Sequence, residues 1–148
     1  MNGNPVSITA QEYQAIKIRI YPNQEQKTLL DKTFGCCRFI YNKMLEDRIK
    51  IYDRLKDDKQ ALYSYKYKTE KEYKERYSFL KEVDAKALQS EWRNLKSAYD
   101  NFFRNIKKGI KKGFPKFKSK KTNQSYTMNS PYGVSLPIFI ISSFCPKS

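Results

Sequence analysis

Between Asp84 and Ile106 the large apolar side chains Leu88, Trp92, Leu95, Tyr99, Phe102 and Ile106 recur at steps of 4, 3, 4, 3 and 4. That spacing puts all six on one stripe of an α-helix. Ala98 and Phe103 widen the stripe, and Asp84 is a suitable N-cap. A second stripe, Cys37, Ile40, Tyr41, Met44, Leu45, Ile51, Tyr52 and Leu55, predicts another helix of about five turns from Cys36, with Arg38, Lys43, Lys50 and Arg54 mostly off its buried side. Neither stripe can be left in water, so the two helices are expected to pack against each other, antiparallel. The fold class that follows is mainly α, a bundle of long helices. Trp92, Tyr99, Phe102 and Phe103 are then core residues and no base-stacking platform.

The flanking segments read differently. Residues 15–22, AIKIRIYP, alternate Ile16, Ile18 and Ile20 with Lys17, Arg19 and Tyr21, the period of a strand with one apolar and one basic face. Asn23 with Gln26 has the spacing of a capping box, and a short helix is expected to about Thr33, with Leu29 and Leu30 turned inward and Gly35 breaking or bending the chain. Residues 57–78 mix charge with tyrosine and read as an exposed connector, with a short helix around Glu70–Tyr77. Gly109 and Gly113 stop the second long helix, and Pro115 favours an extended backbone at Phe114.

Charge is polarised along the chain. Thirty Lys and Arg against fifteen Asp and Glu give a formal net charge of +15, and no acid follows Asp100. Self-repulsion on that scale suits a protein whose partner is a polyanion. From Arg104 to Lys121 the basic residues Arg104, Lys107, Lys108, Lys111, Lys112, Lys116, Lys118, Lys120 and Lys121 are interleaved with Phe114 and Phe117. Such a run combines phosphate neutralisation with planar faces for unpaired bases. Lys17 and Arg19 extend this surface, and Arg38, Asn42 and Lys43 on the first long helix are further candidates for phosphate or base contact. The partner expected is nucleic acid.

Other classes are set aside on chemical grounds. Without a single histidine, Ser-His-Asp, Cys-His and His-metal chemistry are absent. Two-metal cleavage needs several converging carboxylates, whereas acids here sit singly or in helix-surface spacings such as Glu46, Asp47 and Asp57, Asp58, with none expected beside the basic run. No catalytic residue, metal site or cofactor is expected. Adjacent Cys36 and Cys37 point about 100° apart on a helix, and with Cys145 they form neither a disulfide framework nor a C-x-x-C pair. The opening MNGNPVSITAQEYQ lacks the pattern of an export signal, and the apolar run GVSLPIFIISSF is too short to span a bilayer. A cytoplasmic protein without membrane association is expected.

Three blocks in order, KIRIYPNQEQKTLLDKTFGCCRFIYNKML, FLKEVDAKALQSEWRNLKSAYDNFF, and KGFPKFKSKK followed by SYT, resemble the N-terminal part of the TnpB, or OrfB, proteins encoded by insertion sequences. The resemblance covers about residues 15–127. It implies an RNA-guided DNA nuclease ancestry, in which a wedge domain of strands carries an inserted helical recognition domain ahead of a RuvC-like nuclease with a zinc ribbon. On that template residues 1–14 are a disordered lead-in, 15–22 the first wedge strand, and 23–108 the helical domain long labelled helix-turn-helix. Residues 109–127 are then a basic return to the wedge, and 128–148 a divergent, irregular tail. The implied partners are a guide-type RNA, transposon-end DNA or target DNA.

This sequence departs from the family after SYT and holds no counterpart of the nuclease half. Two readings stay open: a decayed copy ended by a frameshift or early stop, or a short protein with its own C-terminal strand. The expected function is a nucleic-acid-binding portion without catalytic capacity; the alternative is a stand-alone DNA-binding regulator of transposition.

Overall fold

The computed structural model describes residues 16–128 and 139–142. Its elements are α1 (Gln24–Leu55), α2 (Lys59–Ser64), α3 (Glu70–Arg76), a 3-10 turn (Ser78–Glu82), α4 (Ala85–Lys107), β1 (Ser125–Met128) and β2 (Phe139–Ser142). The fold is mainly helical, as the two stripes predict.

Helix α1 starts at the expected capping box. The Asn23 side chain accepts from the Gln26 backbone N–H at 2.9 Å, and the Gln26 side chain accepts from the Asn23 N–H at 2.9 Å. The helix then runs without interruption through Gly35, so the two separate helices expected on either side of this glycine are one. Hydrogen bonding on both sides carries the glycine along, and its neighbours Thr33, Phe34, Cys36 and Cys37 are all buried. Leu29, expected inward, is 56% exposed, while Leu30 packs on the margin of the core.

A Cβ added at Gly35 meets nothing within 4 Å, and no unusual φ is required there. Gly35→Ala is therefore expected to stabilise the fold by about 0.5–1 kcal/mol, because alanine loses less backbone entropy in a helix interior. Urea unfolding measures this, and a lower midpoint for the alanine variant contradicts it.

Helix α4 begins at its predicted cap, with Asp84 Oδ1 accepting from the Lys86 N–H at 2.6 Å. It packs on α1, but in the opposite sense to that expected. Tyr126 packs edge-on to Phe34 and lies by Asp84; Cys37 and Tyr41 lie by Glu91; Arg48 covers the Tyr99 ring. Contacts therefore ascend together along both helices, which makes the pair parallel. Parallel packing needs a return path, and the segment between the helices provides it.

That connector is more structured than its composition suggests. Tyr73 on α3 is buried and donates its hydroxyl to Asp47 Oδ2 at 2.6 Å, while Phe39 packs edge-on to Tyr77 and Phe79. Burial and the neighbouring carboxylate push the Tyr73 phenol well above its ordinary value. Leu80 and Val83 complete the descent into a core shared by Ile40, Met44, Leu45, Ala87, Leu88 and Leu95.

Two expectations for the flanks are corrected. The strand over 15–22 does not form across its described part: residues 16–23 adopt no regular element, and Ile16, Ile18 and Ile20 face water. The alternating pattern is present, but among the described residues no neighbouring strand gives it a ladder. Conversely, the tail is not irregular where described, because β2 pairs antiparallel with β1, with Tyr126 opposite Ile141. Tyr126 is buried against Phe34, and Met128 and Ile141 pack on the core margin. Residues 1–15, 129–138 and 143–148, which hold the expected disordered lead-in and most of the divergent tail, lie outside the described residues.

Candidate nucleic-acid interface

The basic segment leaves α4 at a left-handed glycine. Gly109 has φ +77°, and its N–H and that of Ile110 return to the carbonyls of Ile106 and Asn105, closing the helix end. Gly113, with φ +95°, makes a second reversal so close to Asn105 that an added Cβ would sit 3.0 Å from its side-chain amide nitrogen. That same amide donates to the Lys112 carbonyl at 3.3 Å. Beyond this point, as far as Ser119, the chain forms neither helix nor strand, as the helix stop expected at Gly109 and Gly113 implies.

This ribbon is fastened to both long helices. Phe114 packs edge-on against Tyr99 and Phe102 of α4, at 5.9 and 5.2 Å between ring centroids, and Pro115 is buried. From α1, the Asn42 amide donates to the Lys118 carbonyl at 2.9 Å and accepts from the Lys118 N–H at 2.7 Å, as a neighbouring strand would. The Lys118 ammonium lies 2.5 Å from the Glu91 carboxylate and 4.5 Å over the Tyr41 ring. These fastenings fix which cations face outward. Arg104, Lys107, Lys108, Lys111, Lys112, Lys116, Lys120 and Lys121 are exposed.

Four of the candidates chosen from sequence are occupied otherwise. Lys118 is committed to Glu91 and Asn42 to the ribbon backbone. Lys43 pairs with Glu46 at 2.6 Å, in a cluster where Lys50 also meets Glu46 and holds its carboxyl down at about 2, Lys43 being the larger cause. Arg38 donates to the Gln124 side chain and lines a small cleft with Phe34, Ser119 and Thr122. Lys17 and Arg19 are exposed on residues 16–23, where Arg19 sits 5.7 Å over the Tyr21 ring, and no ion pair or hydrogen bond among the described residues joins them to the ribbon.

Glu91 is the residue that sequence reading missed, and it overturns the expectation that no acid lies beside the ribbon. Its side chain is fully buried. Burial pushes its carboxyl above the ordinary value, and the Lys118 ammonium and Asn94 amide pull it back only in part. The signal was available: Glu91 stands three residues after Leu88 and four before Leu95, on the apolar stripe itself. A charged acid at such a position needs a cation or hydrogen-bond donors beside it.

Cys36 and Cys37 are buried, as their small size suggests, and burial raises both thiols, Cys37 to about 12. Among the described residues no group of three or more His, Cys, Asp or Glu is placed to hold a metal ion, and no helix is long and apolar enough to cross a membrane.

A family model described as a helix-turn-helix domain, of the IS605 OrfB type, matches residues 13–57. The described part of that stretch holds residues 16–23, which adopt no regular element, and a single unbroken α1, with no turn between two helices. A protein of Streptomyces pristinaespiralis named as a candidate RNA-guided DNA endonuclease is 36% identical over 112 residues, covering 76% of this chain and 27% of the relative. The similarly named InsQ of Escherichia coli K12 is 28% identical over 90% of this chain and 32% of its own length. The virulence protein VsdF of Salmonella dublin is 38% identical over 72% of this chain and 93% of VsdF. The chain thus spans about a third or less of the two endonuclease relatives and nearly all of the third.

Proposed function

Because the chain belongs to the OrfB/TnpB family of insertion-sequence proteins, whose N-terminal part it spans, we propose that it is the nucleic-acid-binding portion of an RNA-guided DNA endonuclease system and has no cleavage activity of its own. One observation carries this reading. Eight cations of the segment 104–121 face solvent, three at the end of α4 and five on a ribbon stapled to both long helices, and no acid follows Asp100. The ribbon is a preformed rail for phosphates; the partner is a guide-type RNA or the DNA of a transposon end or target.

Counterion release gives the test. If about five phosphates of a single strand are neutralised, the log-log slope of affinity against salt is expected near −3.5, from about −0.7 per phosphate. Fluorescence anisotropy with labelled RNA and DNA measures the slope, and a flat profile contradicts the reading. Magnesium-dependent cleavage by the pure chain would overturn its second half.

A second reading, a stand-alone DNA-binding regulator of transposition, is favoured by the 93% coverage of VsdF, a relative of similar extent. It requires preference for a defined duplex over structured RNA and heparin, measured by competition.

A further inference from the structure

Phe103 was expected in the core, yet it is 55% exposed, and Ile106 and Ile110 beside it in sequence are about half exposed. Its ring belongs to a cluster with Tyr99, Phe102 and Phe114: it stacks on Tyr99 at 6.2 Å and tilts against Phe102 at 5.4 Å. Phe114, itself 46% exposed, closes the cluster edge-on. Three residues further along the ribbon, Phe117 is 55% exposed, and among the described residues no ring packs against it. Exposed Lys107, Lys111, Lys112 and Lys116 accompany these rings in the sequence.

A packed aromatic cluster half exposed at Phe103 and Phe114, accompanied in sequence by cations with no acid following Asp100, suits a ligand that is anionic along its backbone and flat along its side groups. A fully paired duplex presents phosphates but keeps its base faces stacked inside. The aromatic cluster, moreover, lies at the end of α4 and on the ribbon, and not on α2, the short helix that follows the tight turn after Leu55, where a major-groove reader would carry its base contacts. Resting on the reading above and narrowing it, we propose that this face takes unpaired bases of single-stranded nucleic acid, which stack on Phe103, Phe114 and Phe117 while the flanking lysines hold the phosphates.

The experiment uses the full chain, a labelled twelve-nucleotide oligo-dT, and a fully paired duplex with the same number of phosphates. Phe103→Leu and Phe117→Leu keep apolar bulk and remove the ring; circular dichroism checks that each variant folds. Each is expected to weaken binding to the single strand about tenfold, within the range for loss of one stacked base, with the salt slope and the duplex affinity unchanged. The wild type is expected to favour the single strand at equal salt. Equal losses on both substrates, or none on either, overturn the stacking proposal while leaving a salt-dependent rail intact. No salt-dependent binding to either substrate removes the broader reading as well.

Discussion

Lys118→Ala is expected to destabilise the fold by about 3 kcal/mol at neutral pH, the lower end of the range for breaking a buried ion pair by removing one partner. The lower end applies because the Lys118 side chain is 35% exposed, so its removal admits some water to Glu91, which is itself fully buried. The effect follows from what is left behind, a carboxylate whose remaining side-chain donor is Asn94, at 3.4 Å. Glu91→Gln in the same chain is expected to restore more than half of the loss, since a neutral amide carries a far smaller desolvation cost.

The pH dependence has a definite sign. Burial raises the Glu91 carboxyl in the folded state, and losing Lys118 raises it further. A raised folded value means that the protonated form is the better tolerated one. The contribution is therefore fully present below the ordinary carboxyl value and is lost as pH rises through the folded value. The penalty of Lys118→Ala should consequently shrink as the pH is lowered towards 4. Urea midpoints of the single and double variants across pH 4–8 measure both points, and a penalty independent of pH and of Glu91 would assign the effect to lost packing over Tyr41.

The same pair explains which parts of the molecule were legible in the sequence. Both long helices, the Asn23 capping box, the Asp84 cap and the helix stop at Gly109 and Gly113 follow from local rules, spacing and turn chemistry, that need no knowledge of the third dimension. The direction of α4 does not. A connector of unspecified path permits either sense, and only the burial of Tyr73, Leu80 and Val83 along α1 makes it return before α4 begins. Gly35 misled for a related reason: glycine lowers helix propensity by about 1 kcal/mol, and the buried neighbours on both sides outweigh that. For the site, sequence identified the cations but could not sort them. Asn42, Lys43, Arg38 and Lys118 resemble surface ligands until Gln124, Glu46 and Glu91 are seen beside them. The stripe of α4 likewise hid its own change of character, from a sealed core at Leu88 and Leu95 to a half-exposed aromatic cluster at Phe103.

That sorting leads to the second large effect. Replacing Lys111, Lys112, Lys116, Lys120 and Lys121 together by glutamine is expected to flatten the salt dependence and to lower affinity for a single strand about a thousandfold near 0.1 M salt. A slope of about −3.5 amounts to roughly 3.5 decades between 0.1 and 1 M, and this is the part supplied by counterion release. The fold should be unaffected, because all five side chains are exposed and none forms an ion pair among the described residues. Lys43→Gln is the matched control: Glu46 already neutralises its charge, so its slope should stay at the wild-type value. If the five-lysine variant keeps the full slope while that of the Lys43 variant falls by about 0.7, the share of one phosphate, phosphates run along α1 instead, and the ribbon is a structural strap and not the binding rail.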